Sequence, residues 1–478
     1  MRGSSSDRYE SPLVLRNASA EMAELFSQRH RILTWRRVWL ALAEAQRELG
    51  LPITDRQIAA LRRGLKRIDL ARAQQYERRF RHDVMAHLHA YGDVAPSARG
   101  ILHLGATSCD ITDNADLLIL REALGLICRW LANVIDALGR FAARYRSLPA
   151  LGYTHFQPAQ LTTVGKRASL WCYDFVRDLQ EIERRIETLR LRGIRGATGT
   201  QASFLELFGG SEAKVERLER LVARKLGFDR CEPVTGQTYS RKVDAQIVSA
   251  LAGIATSVHK FCNDVRLLAG LKEMDEPFGR QQVGSSAMAY KRNPMRCERA
   301  TGLARLVISL AGSPLQTAAE QWLERSLDDS SNRRVSLAEA FLATDGMLII
   351  VLDIARGLVV YPELIAARVA AELPFIATEA ILMAGVAAGG DRQELHERLR
   401  RHCRAAAVQV KQYGRANDLL ERITADPHFR DVPVETILEP QRFVGRAPQQ
   451  VDRFLRQVVA PIRRRYRRVL GYRAELRV

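Results

Sequence analysis

The sequence predicts an all-α protein built around a bundle of long helices. Apolar residues recur at helical spacing along most of its 478 residues, and runs of strict alternation that would mark strands are scarce. Three unbroken patterns, over about residues 115–146, 162–192 and 241–273, each outrun an ordinary helix and would span on the order of 45 Å. The third is the most telling. Ile247, Val248, Leu251, Ile254, Ala255, Val258, Phe261, Val265 and Leu268 leave it little polar face, so it must be buried on several sides. One chain has few places to hide such a rod, and the expectation is a homo-oligomeric bundle extended by further copies.

Local signals order the rest. Met22, Leu25, Phe26, Leu33, Val38, Trp39 and Leu42 predict helix over 21–49, stopped by Gly50 and Pro52. Thr54 and Gln57 form a capping-box pattern that opens the next helix. A turn-rich stretch, 105–113, precedes the first long helix, which Pro149 ends. Two long connections, 193–210 and 275–294, separate the later helices, and beyond Tyr361-Pro362 the helices become shorter and more charged. Three domains follow: an N-terminal helical domain over 1–108, a central long-helix bundle over 109–360, and a C-terminal helical domain over 361–478.

Composition narrows the function classes. Hydrophobic content of 47% with 27% charged residues belongs to a globular protein that folds. The opening residues MRGSSSDRYESPL hold no apolar leader, and the most apolar run, 347–352, is bounded by Asp345 and Asp353, so no membrane span is expected and the cytoplasm is the expected location. Seven cysteines stand singly, without the paired spacing of a zinc site or disulfide framework. The formal charge of +19 raises nucleic acid as a partner. Only nine of the 73 basic residues are lysine, and the 64 arginines are spread over the whole chain with no reading motif, so nucleic acid is not expected.

Five constellations could carry chemistry. Gly284-Ser285-Ser286 followed by Lys291 and Asn293 offers freely shaped backbone, hydroxyls and a fixed positive charge that would favour a serine alkoxide as base; a solvated basic loop has the same composition. His155, between Thr154 and Gln157, suits proton transfer near neutral pH, or is simply a structural histidine. Arg81-His82-Asp83 reads as an anion-holding group rather than a metal site, because His82, His87 and His89 do not share one helical face. Thr107 and Ser108 stand before a long helix, where free N–H groups seat a carboxylate or merely receive an N-cap. Arg325, Ser330 and Arg334 suit a phosphate, or a polar turn.

These stretches occur together in recognisable form. "GSSAMAYKRNPMRCER" resembles the signature loop of the fumarase/aspartase superfamily, and with "GYTHFQPAQ", "GATSCDITDN", "TGTQASFLELF", "TGQTYSRKVD", "QWLERSLDDSSNRR" and "LPFIATE" the chain is similar to the adenylosuccinate lyase family, in its animal-type branch. The likeness runs from about Arg16 almost to the C-terminus. It implies the all-α, three-domain fumarase/aspartase-type fold, with a twenty-helix core in a homotetramer and active sites shared by three subunits. It also implies release of fumarate from adenylosuccinate, giving AMP, and from the succinylated carboxamide ribotide SAICAR, giving AICAR, with no metal and no organic cofactor.

Carried over residue by residue, the resemblance makes Ser285 the base, His155 the acid, and Lys291 and His82 their catalytic companions. Substrate contacts fall on Arg16, Asn17, Arg81, Asp83, Thr107, Ser108, Thr154, Gln237, Asn293, Arg299, Arg325, Ser330 and Arg334. Two positions depart from the pattern. Asn17 replaces a tyrosine beside the phosphate arginine Arg16, and Ala289 replaces a proline in the loop, which widens the loop's open ensemble. Argininosuccinate lyase, fumarase and aspartase are rivals within the superfamily, disfavoured by the "RHD", "YKRNPMR" and "LDDSSNRR" groups. A helical scaffold or nucleic-acid binder that keeps a relic site is the rival from another class.

Overall fold

The computed structural model describes residues 9–472 and 476. The outer ends of the first and third expected domains, residues 1–8, 473–475 and 477–478, lie outside the described residues.

Short helices open the chain: α1 (Ala20–Leu25), α2 (Gln28–Glu48), α3 (Asp55–Gly64), α4 (Leu70–Phe80) and α5 (Asp83–Val94). The helix expected over 21–49 is two helices, because Ser27 interposes an N-cap whose hydroxyl accepts the His30 N–H at 3.1 Å. The capping box at Thr54 forms as expected, with the Gln57 side chain accepting the Thr54 N–H at 2.8 Å.

The long helices follow. Helix α6 (Ser108–Arg144) has 37 residues and starts inside the stretch expected to be turns. Its first turns hold Asp110, Asp113 and Asn114, weak helix formers in isolation, but all three are buried and paired to other segments, so tertiary bonds override propensity. Then come β1 (Pro149–Thr154), β2 (Gln157–Thr163), α7 (Val164–Thr188), α8 (Ala202–Leu207), α9 (Glu212–Lys225) and α10 (Lys242–Gly270). After β3 (Met274–Asp275) run α11 (Met295–Leu310), α12 (Gly312–Ala319) and α13 (Asp328–Gly357). Helix α13, 30 residues long, is a fourth rod whose polar first turns hid it in the sequence. It is long and apolar enough to cross a membrane, yet 83% of its apolar window is buried inside the protein.

Helix α6 packs on α7 and α13, and α10 packs on α7, α11 and α13. Leu251, Ile254, Val258 and Phe261 of α10 are fully buried in this core, where truncating a leucine or isoleucine to alanine costs about 2–5 kcal/mol. A second core joins Trp35, Trp39 and Leu61 to Ile194, Phe204 and Tyr239. Strand β3 pairs with β4 (Val359–Val360), after which α14 (Pro362–Ile376), α15 (Thr378–Ala387) and α16 (Arg392–Tyr413) lead into shorter C-terminal helices around a third core.

Candidate active site

The starts of α5, α6 and α13 converge with α2 on one cleft of about 490 Å³. Its walls carry His82 and Asp83 at the start of α5, and Thr107 and Ser108 at the start of α6. Gln237, Arg325, Ser330 and Arg334 complete the set of sequence-predicted residues gathered there. His82 is the N-cap of α5, and its Nε2 lies 3.4 Å from Ser108 Oγ. Asp83 accepts a bond from Arg334 Nη2 at 3.0 Å, tying α5 to α13.

The cleft floor is a charge network built on buried Arg241 and Arg333, neither of which sequence reasoning singled out. Arg241 joins Asp113 (3.0 Å) to Asp329 (2.7 Å), and Asp329 also receives Arg325 at 2.7 Å. Arg333 reaches Asp244 (2.6 Å), Asp116 (3.0 Å) and the Tyr239 hydroxyl (2.5 Å). Burial opposes the charge on Arg241 and Arg333, but the surrounding carboxylates, Asp113 and Asp244 foremost, hold both above the ordinary arginine range. Burial likewise raises Asp116, against the pull of Arg333. Removing one partner from such a network costs about 3–5 kcal/mol, so these bonds fix the spacing of the cleft walls. Their signal was present in "TGQTYSRKVD" and "SLDDSSNRR", where charges fall at positions that helical packing buries.

Two further pieces stand apart from this cleft. In the connection between β3 and α11, Ser285 Oγ accepts the N–H groups of Ala287 (3.3 Å) and Met288 (3.1 Å), while Asn293 Nδ2 donates to the Gly284 carbonyl at 2.9 Å. Glu276 anchors the far end by accepting the N–H groups of Arg296 (3.0 Å) and Cys297 (2.9 Å) at the start of α11. Lys291 is exposed, and so is Arg299 on α11.

The second piece is a hairpin. Strands β1 and β2 pair with Thr154 opposite Gln157, leaving His155 and Phe156 as a two-residue turn with φ of 53° and 58°. A turn with two positive φ values prefers Asn-Gly, so the His-Phe pair pays in backbone strain to present His155 at an exposed tip. Two residues earlier the Tyr153 hydroxyl meets Glu273 at 3.1 Å, and Arg368 of α14 meets the same carboxylate at 2.9 Å. The hairpin is thereby tied to the root of the Ser285 connection.

Arg16 is exposed in the short π-helix Leu13–Asn17, and Asn17 donates to the Pro12 carbonyl at 3.1 Å. Arg81 is exposed at the left-handed C-cap of α4. One chain therefore gathers His82, Asp83, Thr107, Ser108, Gln237, Arg325, Ser330 and Arg334 in a single cleft, but Ser285, Lys291, Asn293, Thr154, His155, Arg299, Arg16, Asn17 and Arg81 are not among the residues lining it.

Comparison with known proteins follows the same lines. A family model described as Lyase matches residues 28–309, and one described as Adenylosuccinate lyase C-terminus matches residues 374–454. The adenylosuccinate lyase of Saccharomyces cerevisiae is 52% identical over 95% of each chain. That of Schistosoma mansoni is 44% identical over 99% of each. The crystal structure of a fumarate lyase from Mesorhizobium sp. BNC1 matches with a TM-score of 0.79 at 25% identity, covering 94% of this chain and 100% of that one. The all-α fumarase/aspartase-type fold expected from the sequence is the fold observed. With likeness of this degree running along nearly its whole length, the chain belongs to the adenylosuccinate lyase family.

Proposed function

We propose that this enzyme eliminates fumarate from adenylosuccinate to leave AMP, and from SAICAR to leave AICAR, in purine nucleotide biosynthesis. The observation that carries the reading is the cleft, where arginines, hydroxyls and an amide converge in a chain 52% identical to a named adenylosuccinate lyase. Arg325, Ser330 and Arg334, with Arg16 and Arg299 joining them in the assembled site, hold the phosphate; the planar guanidinium fork suits paired hydrogen bonds to its oxygens. His82, Thr107, Ser108 and Gln237 hold the succinyl and nucleotide groups.

Ser285 takes the proton from the succinyl Cβ, and the electron pair is stabilised in the adjacent carboxylate, which Lys291 and Asn293 hold. The C–N bond then breaks, the new C=C bond forms, and His155 protonates the departing nitrogen. Because cleft, loop and hairpin are separate in one chain, we assign them to a site assembled from three subunits of a homotetramer, working in the cytoplasm.

Fumarate release from adenylosuccinate by the purified protein tests the reaction, with Ser285→Ala and His155→Ala each expected to lose about 10²–10⁴ in kcat. A wild type without turnover ends the reading. Mixing the two inactive variants tests the sharing of sites, because hybrid tetramers regain intact sites only if Ser285 and His155 come from different chains.

A further inference from the structure

Three buried polar atoms at the α2 wall of the cleft have no bonding partner among the described residues. Arg31 and Trp35 both line the cleft, and the Arg31 guanidinium carbon sits 5.6 Å from the Trp35 ring centroid. His87 packs edge-on against the same indole, with centroids 5.7 Å apart. Trp35 is 2% exposed and His87 4% exposed, yet Arg31 Nε, Trp35 Nε1 and His87 Nδ1 are all buried without a hydrogen bond among the described residues. Other buried indoles here are satisfied: Trp39 donates to His103 at 3.0 Å and Trp130 to Asp345 at 2.6 Å. Leaving one buried polar group unpaired costs about 1–3 kcal/mol, and three such groups in one patch mark a place where a ligand supplies the partner.

The chemistry of the patch selects that ligand. Arginine and indole N–H groups only donate. Burial, followed by Arg31 and Arg36, pushes His87 down to about 4, so at neutral pH it is uncharged and free to carry its proton on Nδ1. Burial first, and Arg334 next, lower the Arg31 guanidinium from the ordinary arginine range, with Asp116 and Asp83 opposing. Arg241 and Arg333 are paired with carboxylates, whereas Arg31 forms no ion pair among the described residues and lies within the field of Arg334. A group bearing several acceptor oxygens and negative charge suits Arg31 and Trp35, the two that line the cleft, with His87 packed behind the indole.

We propose that Arg31 and Trp35, backed by His87, form an additional oxyanion subsite that takes the phosphate of the nucleotide in company with Arg334. This rests on the nucleotide reading of the cleft given above. The test is titration calorimetry of the full-length enzyme with AMP, and with adenosine as the phosphate-free control, alongside adenylosuccinate kinetics. Arg31→Gln is expected to weaken AMP binding about ten- to a hundredfold with adenosine binding unchanged, and to raise KM in parallel while kcat stays within about threefold. Arg31→Lys should recover most of the loss, and Trp35→Phe should weaken AMP about three- to tenfold by removing one N–H donor.

AMP affinity within about twofold of wild type in Arg31→Gln, or an equal weakening of adenosine, overturns the proposal. So does a wild type that binds no AMP. If Arg31→Gln melts below the assay temperature, Arg31→Lys and Trp35→Phe decide, and unchanged AMP affinity in Trp35→Phe overturns it. A wild type that binds AMP but turns over no adenylosuccinate defeats the reaction assigned above, while an Arg31→Gln defect confined to AMP still supports the subsite.

Discussion

The backbone of Lys291 closes directly on Gly284: the Lys291 carbonyl oxygen occupies the place that a Cβ at Gly284 would take. With the Asn293 bond to the Gly284 carbonyl, this contact pinches the Ser285 connection into a loop with a fixed neck. Gly284→Ala must spread that neck, displacing Ser285 while leaving every core helix untouched. A misplacement of about 1 Å at a reacting group costs on the order of a hundredfold, so kcat should fall by at least about tenfold while the melting temperature stays within about 2 °C. Steady-state kinetics and a thermal melt check this; equal loss in both would make the glycine a stability residue only.

Ala289 is the second loop position with a defined expectation. The Lys291 N–H bonds to the Met288 carbonyl at 3.1 Å, which makes Ala289 the second residue of a four-residue turn. Ala289 is not among the residues with positive φ, and proline is favoured at that turn position. The Ala289→Pro variant should therefore fit the turn and narrow the unclosed ensemble by about 0.4–1 kcal/mol, a two- to fivefold gain in kcat/KM for adenylosuccinate. Unchanged kinetics together with unchanged protection of the loop in hydrogen exchange would show that residue 289 does not govern closure.

Much of this architecture was legible before any coordinates. The three rods announced themselves because an apolar pattern sustained over thirty residues has few other solutions, and the Thr54 cap because its signal is local. What stayed hidden depends on distant partners. Helix α6 keeps Asp110 and Asp113 in its first turns only because Arg192, Arg195 and Arg241 arrive from elsewhere in the chain. The His155 hairpin escaped notice because its turn has the wrong residues for its geometry. The cleft residues were found through motif resemblance, whereas the floor arginines were passed over because each resembles any other charge on a helix.

Asp110 offers a direct test of such long-range support. Its carboxylate accepts the Thr107 N–H at 2.8 Å and the Arg195 N–H at 2.7 Å, and it pairs with the fully buried Arg192. Arg192 in turn donates to the carbonyls of Gly196 (2.9 Å) and Gly236 (3.1 Å), fastening the segment that leads to Gln237. Asp110→Asn keeps the shape but strands the guanidinium charge, so unfolding by urea should lose about 3–5 kcal/mol. Asp110→Asn with Arg192→Met should recover part of it, because replacing both partners removes the unpaired charge. A double variant weaker than either single would contradict this account of the pair.

The C-terminal region carries a separate, pH-dependent clasp. Burial works to raise the Asp426 carboxyl, but the bonds it receives from His402 (2.9 Å) and from the His428 backbone (3.0 Å) and ring (3.1 Å) hold it well below the ordinary carboxylate range. A folded pKa below the unfolded value of about 3.9 contributes stability that is complete above that value and is lost as pH falls through the folded pKa. The urea midpoint of the transition involving α16 should therefore decline from about pH 4 downward. Asp426→Asn should already be less stable at pH 7 and should show a shallower decline in acid, because the titrating carboxyl is gone. The comparison calls for denaturation curves of both proteins between pH 7 and pH 3, and parallel slopes over the acidic part would remove Asp426 from the explanation.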